Sequence, residues 1–269
     1  LFFVYGARTM SETVIIERAG GVATVLVDNP PVNTLGDETL AGLTSAAATL
    51  GRDPDVRAIV LTGAGERTFL AGADLRELGA LLGDDEGMRD HVALTSEAFT
   101  AWAELPQPVI AAVGGHAVGG GLEVALVCDL IVADPRARLG LPEVGLGLIP
   151  GAGGTQRLPR RVGLGVARRL LMTGELLRAE AAQAVGLVDL VSAEGGARAE
   201  AQELAARMAA LPARAVQAAK AALAVAGTQR LPDGLVAERR LFLEVACSRD
   251  AREGAAAFLD KRPPQFVHA

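Results

Sequence analysis

Residues 108–134, PVIAAVGGHAVGGGLEVALVCDLIVAD, place the tightest constraint on the fold. The apolar run PVIAAV (108–113) leads into a glycine-rich turn, then the helix-prone GLEVALVCD (121–129), then a second apolar run, LIVAD (130–134). Strands alternating with helices predict an α/β core. Upstream, TVIIER (13–18) and VATVLV (22–27) flank Gly20-Gly21 and read as a hairpin. NPPVNTLG (29–36) reads as a turn, DETLAGLTSAAATL (37–50) as a helix with an acidic first turn, and RAIVLTG (57–63) as a buried strand. Gly83 to Gly87 read as a mobile loop before a long helix that ends ahead of Leu105. From about residue 163 the character changes. Segments 164–173, 179–185, 196–210, 212–226, 234–248 and 250–260 read as helices, with GLVDLV (186–191) strand-like among them. The expected division is an α/β body over 10–195 and a helical region over 196–269.

Composition narrows the function classes. Half of the 269 residues are hydrophobic but only 3% are aromatic, so Ala, Val and Leu must build the core. A net charge of −6 argues against a general nucleic-acid binder, which needs a basic face. Arginine supplies nearly all the positive charge, the lysines being Lys220 and Lys261; with so much alanine this reads as GC-rich codon usage. Cys128 and Cys247 sit among apolar residues without a metal-binding spacing, as buried thiols of a reduced, cytoplasmic compartment would. His91, His116 and His268 are scattered and form no metal motif. The apolar run at the N-terminus is too short for a signal peptide, whose hydrophobic region is roughly 7–15 residues. Met10 reads as a natural start, leaving 1–9 as an upstream extension, native or left by cloning. No apolar run approaches the ~18 residues of a membrane helix, so a soluble protein is expected.

The chemistry concentrates in glycine turns. Gly119-Gly120-Gly121 opens a helix after a strand and turn, where backbone N–H groups lack helical partners and the dipole is positive. AGAD at 71–74 offers a second small-residue turn of this kind, and an oxyanion hole commonly takes two donors. Alternatively, the glycines serve only a tight strand-to-helix crossing. Glu123 follows them directly, and Glu143 stands in LGLPEVGLGLIPGAGGTQRL among apolar and glycine residues. Read alone, Glu123 suits a helix first turn and Glu143 a surface loop. Together they could bracket a water, because close carboxylates oppose each other's ionisation and one can hold a proton while the other acts as base. Asp129 and Asp134 flank a strand and read as structural. A Rossmann fingerprint is absent, since each Gly-x-Gly lacks the third glycine, and neither lysine follows a glycine as a P-loop requires.

These stretches resemble the crotonase superfamily, and within it the enoyl-CoA hydratases. The likeness rests on the hairpin with NPPVNTL, FLAGADLREL, PVIAAVGGHAVGGGLEVALVCDLIVA and LGLPEVGLGLIPGAGGTQRLPRRVG. It continues through TGELLRAEAAQAVGLVDLV, PARAVQAAKAAL and EGAAAFLDKRPPQF, covering roughly 12–266. The resemblance implies a spiral of ββα units with a helical C-terminal trimerisation region, assembled as a trimer or a dimer of trimers. It implies reversible addition of water to a trans-2-enoyl-CoA. Glu123 and Glu143 would be catalytic, the backbone N–H groups of Ala73 and Gly120 the oxyanion hole. Keeping both glutamates favours hydration, since many relatives that isomerise, hydrolyse or decarboxylate keep one. Backbone groups around Ala71 and Ala73 would hold the CoA adenine, and Arg76 would lie near the CoA phosphates. Phe258 and Lys261 match positions that can complete a neighbour's CoA pocket. Coenzyme A belongs to the substrate, so no metal or other cofactor is implied. His116 reads as a local packing or hydrogen-bonding residue. NPPVNTL departs from the N-R-P-K-A-L-N-A-L of many hydratases and leaves the acyl preference open. A Δ3,Δ2-enoyl-CoA isomerase, another crotonase reaction, and an RNA-binding relative are the alternatives.

Overall fold

A computed structural model of the protein describes residues 8–9 and 11–268. Most of the expected N-terminal extension, and Met10, lie outside the described residues. The chain begins with β1 (Arg8–Thr9), β2 (Val14–Ala19), β3 (Val22–Val27), β4 (Thr34–Leu35) and α1 (Asp37–Gly51). It continues through β5 (Ala58–Gly63), β6 (Thr68–Leu70), β7 (Gly72–Ala73), α2 (Leu75–Leu81) and α3 (Asp85–Ala103). Next come β8 (Val109–Val113), β9 (His116–Val118), α4 (Gly120–Val127), β10 (Leu130–Ala133), β11 (Arg138–Gly140) and a 3-10 turn, Glu143–Leu146. The remainder is α5 (Gly154–Thr173), β12 (Leu177–Arg178), α6 (Ala179–Ala184), β13 (Leu190–Val191), α7 (Ala197–Ala209), α8 (Ala213–Ala226), α9 (Leu231–Ala246) and α10 (Arg249–Leu259).

Apart from the two-stranded pair β4-β7, two sheets run through this order. The larger is β1-β2-β3-β5-β8-β10-β13, antiparallel as far as β3 and parallel from there on. The smaller is β12-β11-β9-β6. Each of β5, β8 and β10 is followed by a short strand of the smaller sheet, β6, β9 and β11 in turn, and then by helix. This is the ββα spiral that the resemblance implied. A turn of the spiral brings α4 against β6, and at that crossing a side chain is impossible. A Cβ on Gly121 would stand 1.9 Å from the Leu70 carbonyl oxygen.

The large sheet is buried on both faces, so its strands read as unbroken apolar runs. Ile59, Leu61, Ala111, Val113, Ile131 and Ala133 face the main core. Their neighbours Ala58, Val60, Ile110, Ala112 and Val132 pack with Ala201, Ala205 and Ala209 of α7 on the other side. An alanine every fourth residue lets α7 lie close to the sheet. In the main core the buried Trp102 of α3 donates its indole N–H to the Leu43 carbonyl of α1 at 3.0 Å.

Several sequence expectations shift. Gly83–Gly87, expected as a mobile loop, is for the most part the start of α3. Asp84 caps α3, its carboxylate accepting from the N–H groups of Glu86 and Gly87, so the helix begins at Asp85. The helix expected at 121–129 ends at Val127, leaving Cys128 and Asp129 to lead into β10. Asp129 instead accepts from the Val109 N–H at 2.7 Å and from Lys220 at 2.7 Å, a structural role as expected. The helix expected from residue 164 starts ten residues earlier in α5 and bends at Gly163, where the backbone leaves helical geometry. Within GLVDLV, Leu190–Val191 form the strand. Cys128 is buried as expected, and burial pushes its thiol far above the ordinary cysteine range; Cys247 is exposed. Among the described residues no helix is long and apolar enough to cross a membrane.

Candidate active site

A cavity of about 380 Å³ opens where the glycine turns converge. Its floor is backbone. Gly120 is the first residue of α4, so its N–H has no partner inside the helix. Ala73 lies on β7, whose pairing with β4 sets Leu35 opposite Ala73. The two turns touch: a Cβ built on Gly120 would meet the Ala73 nitrogen at 3.6 Å, and one on Gly72 would meet the Gly120 nitrogen at 3.1 Å. Two turns 47 residues apart in sequence thus bring a pair of N–H-bearing backbone segments to one wall of the cavity.

Both glutamates face this cavity. Glu123, in the first turn of α4, is only 3% exposed. Its Oε1 accepts from the N–H groups of Ala152 at 2.9 Å and Gly154 at 2.7 Å, where the GAGG loop enters α5. Burial raises its carboxyl above the ordinary glutamate value, and the Gly154 and Ala152 amides and the Arg157 charge oppose that rise. Glu143 opens the 3-10 turn and is half-buried. Burial pushes its carboxyl up to about 7; its own backbone N–H opposes this and the Glu123 charge adds to it. Its Oε2 is buried without a protein partner. A Cβ on Gly119 would come within 3.3 Å of its Oε1, which sets Glu143 beside the glycine turn. The pair is therefore asymmetric. Burial raises both carboxyls, but Glu123 has two backbone donors that oppose the rise, while Glu143 Oε2 has none. When one such carboxyl holds a proton and the other does not, the pair can protonate one carbon and activate a water for another, and backbone N–H groups beside them can hold negative charge on a carbonyl oxygen.

The rest of the wall is apolar. Met88, Val92 and Phe99 of α3 line it with Leu75 and Leu78 of α2, and Leu146, Leu148 and Ile149 close the other side. These residues were missed in the sequence reading. Met88, Val92 and Phe99, with Thr95, recur at helical spacing along a largely polar helix, a signal that was available. His91 also lines the cavity, its Nδ1 3.1 Å from Asp37 Oδ1. Ala71 lines it as well. Arg76 does not: it is exposed on the first turn of α2, one residue after the cavity-lining Leu75. Phe258, at the end of α10, and Lys261, just past it, are exposed and do not line the cavity of their own chain. His116 is exposed on β9, its backbone N–H donating to the Arg67 carbonyl at 2.9 Å.

A two-sheet ββα spiral, with two glutamates and two glycine turns around one apolar cavity, defines a class of acyl-thioester enzymes with the crotonase fold. The chain belongs to the enoyl-CoA hydratase/isomerase family, whose sequence profile matches residues 17–269. It is 39% identical to a probable enoyl-CoA hydratase of Mycobacterium tuberculosis, over 96% of this chain and 98% of that protein. It is 40% identical to the 2,3-dehydroadipyl-CoA hydratase of Escherichia coli, over 96% and 99%. The crystal structure of an enoyl-CoA hydratase from Bacillus anthracis superposes with a TM-score of 0.92 at 36% identity, covering 96% of this chain and all of that one.

Proposed function

We propose that the protein is a hydro-lyase that adds water reversibly to trans-2-enoyl-CoA thioesters, giving 3-hydroxyacyl-CoA in fatty-acid or related acyl-CoA degradation. The observation that carries this reading is the presence of two carboxyls, both raised by burial but only Glu123 held by backbone donors, in one cavity beside the turns of Ala73 and Gly120. The thioester oxygen would accept from the N–H groups of Ala73 and Gly120. Glu123, as base, would take a proton from water as the water's oxygen bonds to C3. The C2–C3 π electrons move toward the thioester, and the enolate-like charge rests on its oxygen. Glu143, as acid, delivers the proton to C2. Losing one oxyanion donor costs roughly 3–4 kcal/mol in comparable sites. The Met88–Val92–Phe99 wall suits the acyl chain. The reaction is redox-neutral, and it needs no cofactor beyond the CoA of the substrate.

Backbone groups near Ala71 and Ala73 would hold the adenine, and Arg76, beside the cavity-lining Leu75, would meet CoA phosphates. Phe258 and Lys261 would reach the site of a neighbouring subunit in a homotrimer or a dimer of trimers. The cytoplasm is the compartment where this chemistry and two unpaired cysteines fit together.

The test is turnover of crotonyl-CoA, followed by loss of the conjugated enoyl-thioester absorbance. Glu123→Gln and Glu143→Gln should each depress hydration by roughly 10²–10⁴-fold, the usual contribution of a general acid or base. Near-normal hydration by either variant would sink the two-carboxylate mechanism. Activity retained by Glu123→Gln on a 3-enoyl-CoA would instead favour an isomerase.

A further inference from the structure

We propose that Arg157 is a positioning residue for Glu123, acting through Ala152 to keep the base anionic and aimed into the cavity. This rests on the reading of Glu123 as the base. Arg157 lies in the first turn of α5, within the GAGGTQR segment whose amides hold Glu123. Its Nη1 donates to the Ala152 carbonyl at 2.8 Å. The next link is the Ala152 N–H, which donates to Glu123 Oε1 at 2.9 Å, with the Gly154 N–H beside it at 2.7 Å. A guanidinium thus clamps one side of a residue whose other side clamps the carboxylate.

The loop is shaped around that clamp. Gly153 has φ +106, a left-handed conformation, and a Cβ there would stand 2.0 Å from Arg157 Nη1. Glycine is thus needed both for the backbone turn and for room for the guanidinium. Arg157 also acts directly through its charge, which lowers the Glu123 carboxyl; burial lowers Arg157 itself, and the Glu123 charge opposes that. The charged and titratable groups around this pair are Glu143 from the 3-10 turn, Arg160 next to Arg157 on α5, and His91 from α3, held by Asp37. Among these, Arg157 alone is bonded to the loop that carries the Glu123 donors.

Removing Arg157 should therefore make Glu123 harder to ionise and less well placed, without touching the acyl wall. The decisive readout is infrared titration of the Glu123 carboxylate without substrate, its band assigned by subtracting the spectrum of Glu123→Gln. In Arg157→Gln the band should ionise at higher pH than in the parent. In Arg157→Lys, which keeps the charge but offers no planar fork, it should fall between the two. In crotonyl-CoA hydration, Arg157→Gln should lose ~10–10²-fold in kcat, the scale of a small misplacement of a reacting group, with KM within about twofold. The acidic limb of its pH profile should move to higher pH. A carboxylate band that titrates as in the parent overturns the proposal, as does a kcat loss with an unmoved acidic limb. Folding is checked by circular dichroism. If Arg157→Gln does not fold, Arg157→Lys decides, and an unshifted band in it overturns the assignment. A parent enzyme that fails to hydrate crotonyl-CoA would remove the hydratase reading, while the infrared titration would still judge Arg157.

Discussion

Glu143 is half-buried, and its Oε2 is buried without a protein partner. The carboxyl's folded-state value is raised to about 7 against an ordinary 4.5, so the unfolded chain gives up this proton first. Stability is then lost as pH rises from the unfolded value through about 7 and stays low above it. Glu143→Gln removes this penalty. At pH above neutrality the variant should be more stable than the parent by roughly 1–2 kcal/mol, after discounting for a group that is only half-buried. It should also be catalytically crippled, so thermal melts and turnover should move in opposite directions. A lower melting temperature in mildly alkaline buffer would refute this. The same protonation predicts that kcat/KM for hydration declines as pH rises past about 7, where the acid is lost. The two carboxyls are coupled, so the measured values belong to the pair. A profile flat well above that point would show that a neutral Glu143 is not required. Of the site residues, the two glutamates and the two small-residue turns were legible from sequence because charge among glycines and apolar residues is conspicuous. Their unequal supply of donors was not, because it depends on which loop packs against each carboxylate.

Among the elements, the weakest sequence signals carry the most positional weight. β4, β6, β7, β9 and β11 are two or three residues long, below the length at which alternation is readable, yet they seat the turns of Ala73 and Gly120. Asn33 ties them together. It is buried with φ +56, a conformation asparagine tolerates better than most residues. Its Nδ2 donates to the carbonyls of Ala64, Thr68 and Phe69, its Oδ1 accepts from the Asn29 N–H, and its own carbonyl accepts from the Ala71 N–H. Asn33→Ala should cost about 1–3 kcal/mol for the buried groups left unpaired. It should also slow hydration if the Ala73 turn holds the thioester oxygen as proposed, because β6 and β7 lead into that turn. Chemical denaturation and turnover together check it; an unchanged midpoint would show that the loop holds itself. The hairpin and the long strands were read correctly because their apolar runs are long, and the helix ends were displaced because capping by Asp84 and the bend at Gly163 are local events inside continuous patterns.

For the whole molecule, α8 and α9 form an unfinished surface. They pack on each other, yet neither contains a buried residue in the single chain. Phe242 is 69% exposed and Leu243 64%, with Leu223, Leu231 and Val236 nearby in the same two helices. Exposed apolar side chains gathered on two packed helices suit an interaction surface, and closed cyclic packing of three copies would cover them without open-ended growth. Light scattering should give about three or six times the 27.6 kDa of one chain. Phe242→Glu should lower that mass by setting an unpaired charge into the contact. Deleting 250–269 should weaken both assembly and CoA affinity if Phe258 and Lys261 serve a neighbour. A fully active monomer at assay concentration would refute the coupling.

By itself the sequence determined the local alphabet of this protein. It specified an α/β order, helices after residue 196, glycine at turns where helices begin, and two glutamates set where the backbone is bare. Those are short-range matters of periodicity, turn chemistry and side-chain absence, which a chain expresses before it folds. Tertiary structure alone decided that β6, β9 and β11 form a second sheet, that α7 closes the far face of the first, and that α3 supplies the apolar wall. It also set the Ala152–Gly154 amides and Arg157 on one side of Glu123 and left Glu143 Oε2 without a partner. Proximity between residues far apart in sequence depends on the turn-by-turn rise of the spiral. Solvation and charge at each carboxylate follow from that proximity, and no local pattern encodes them.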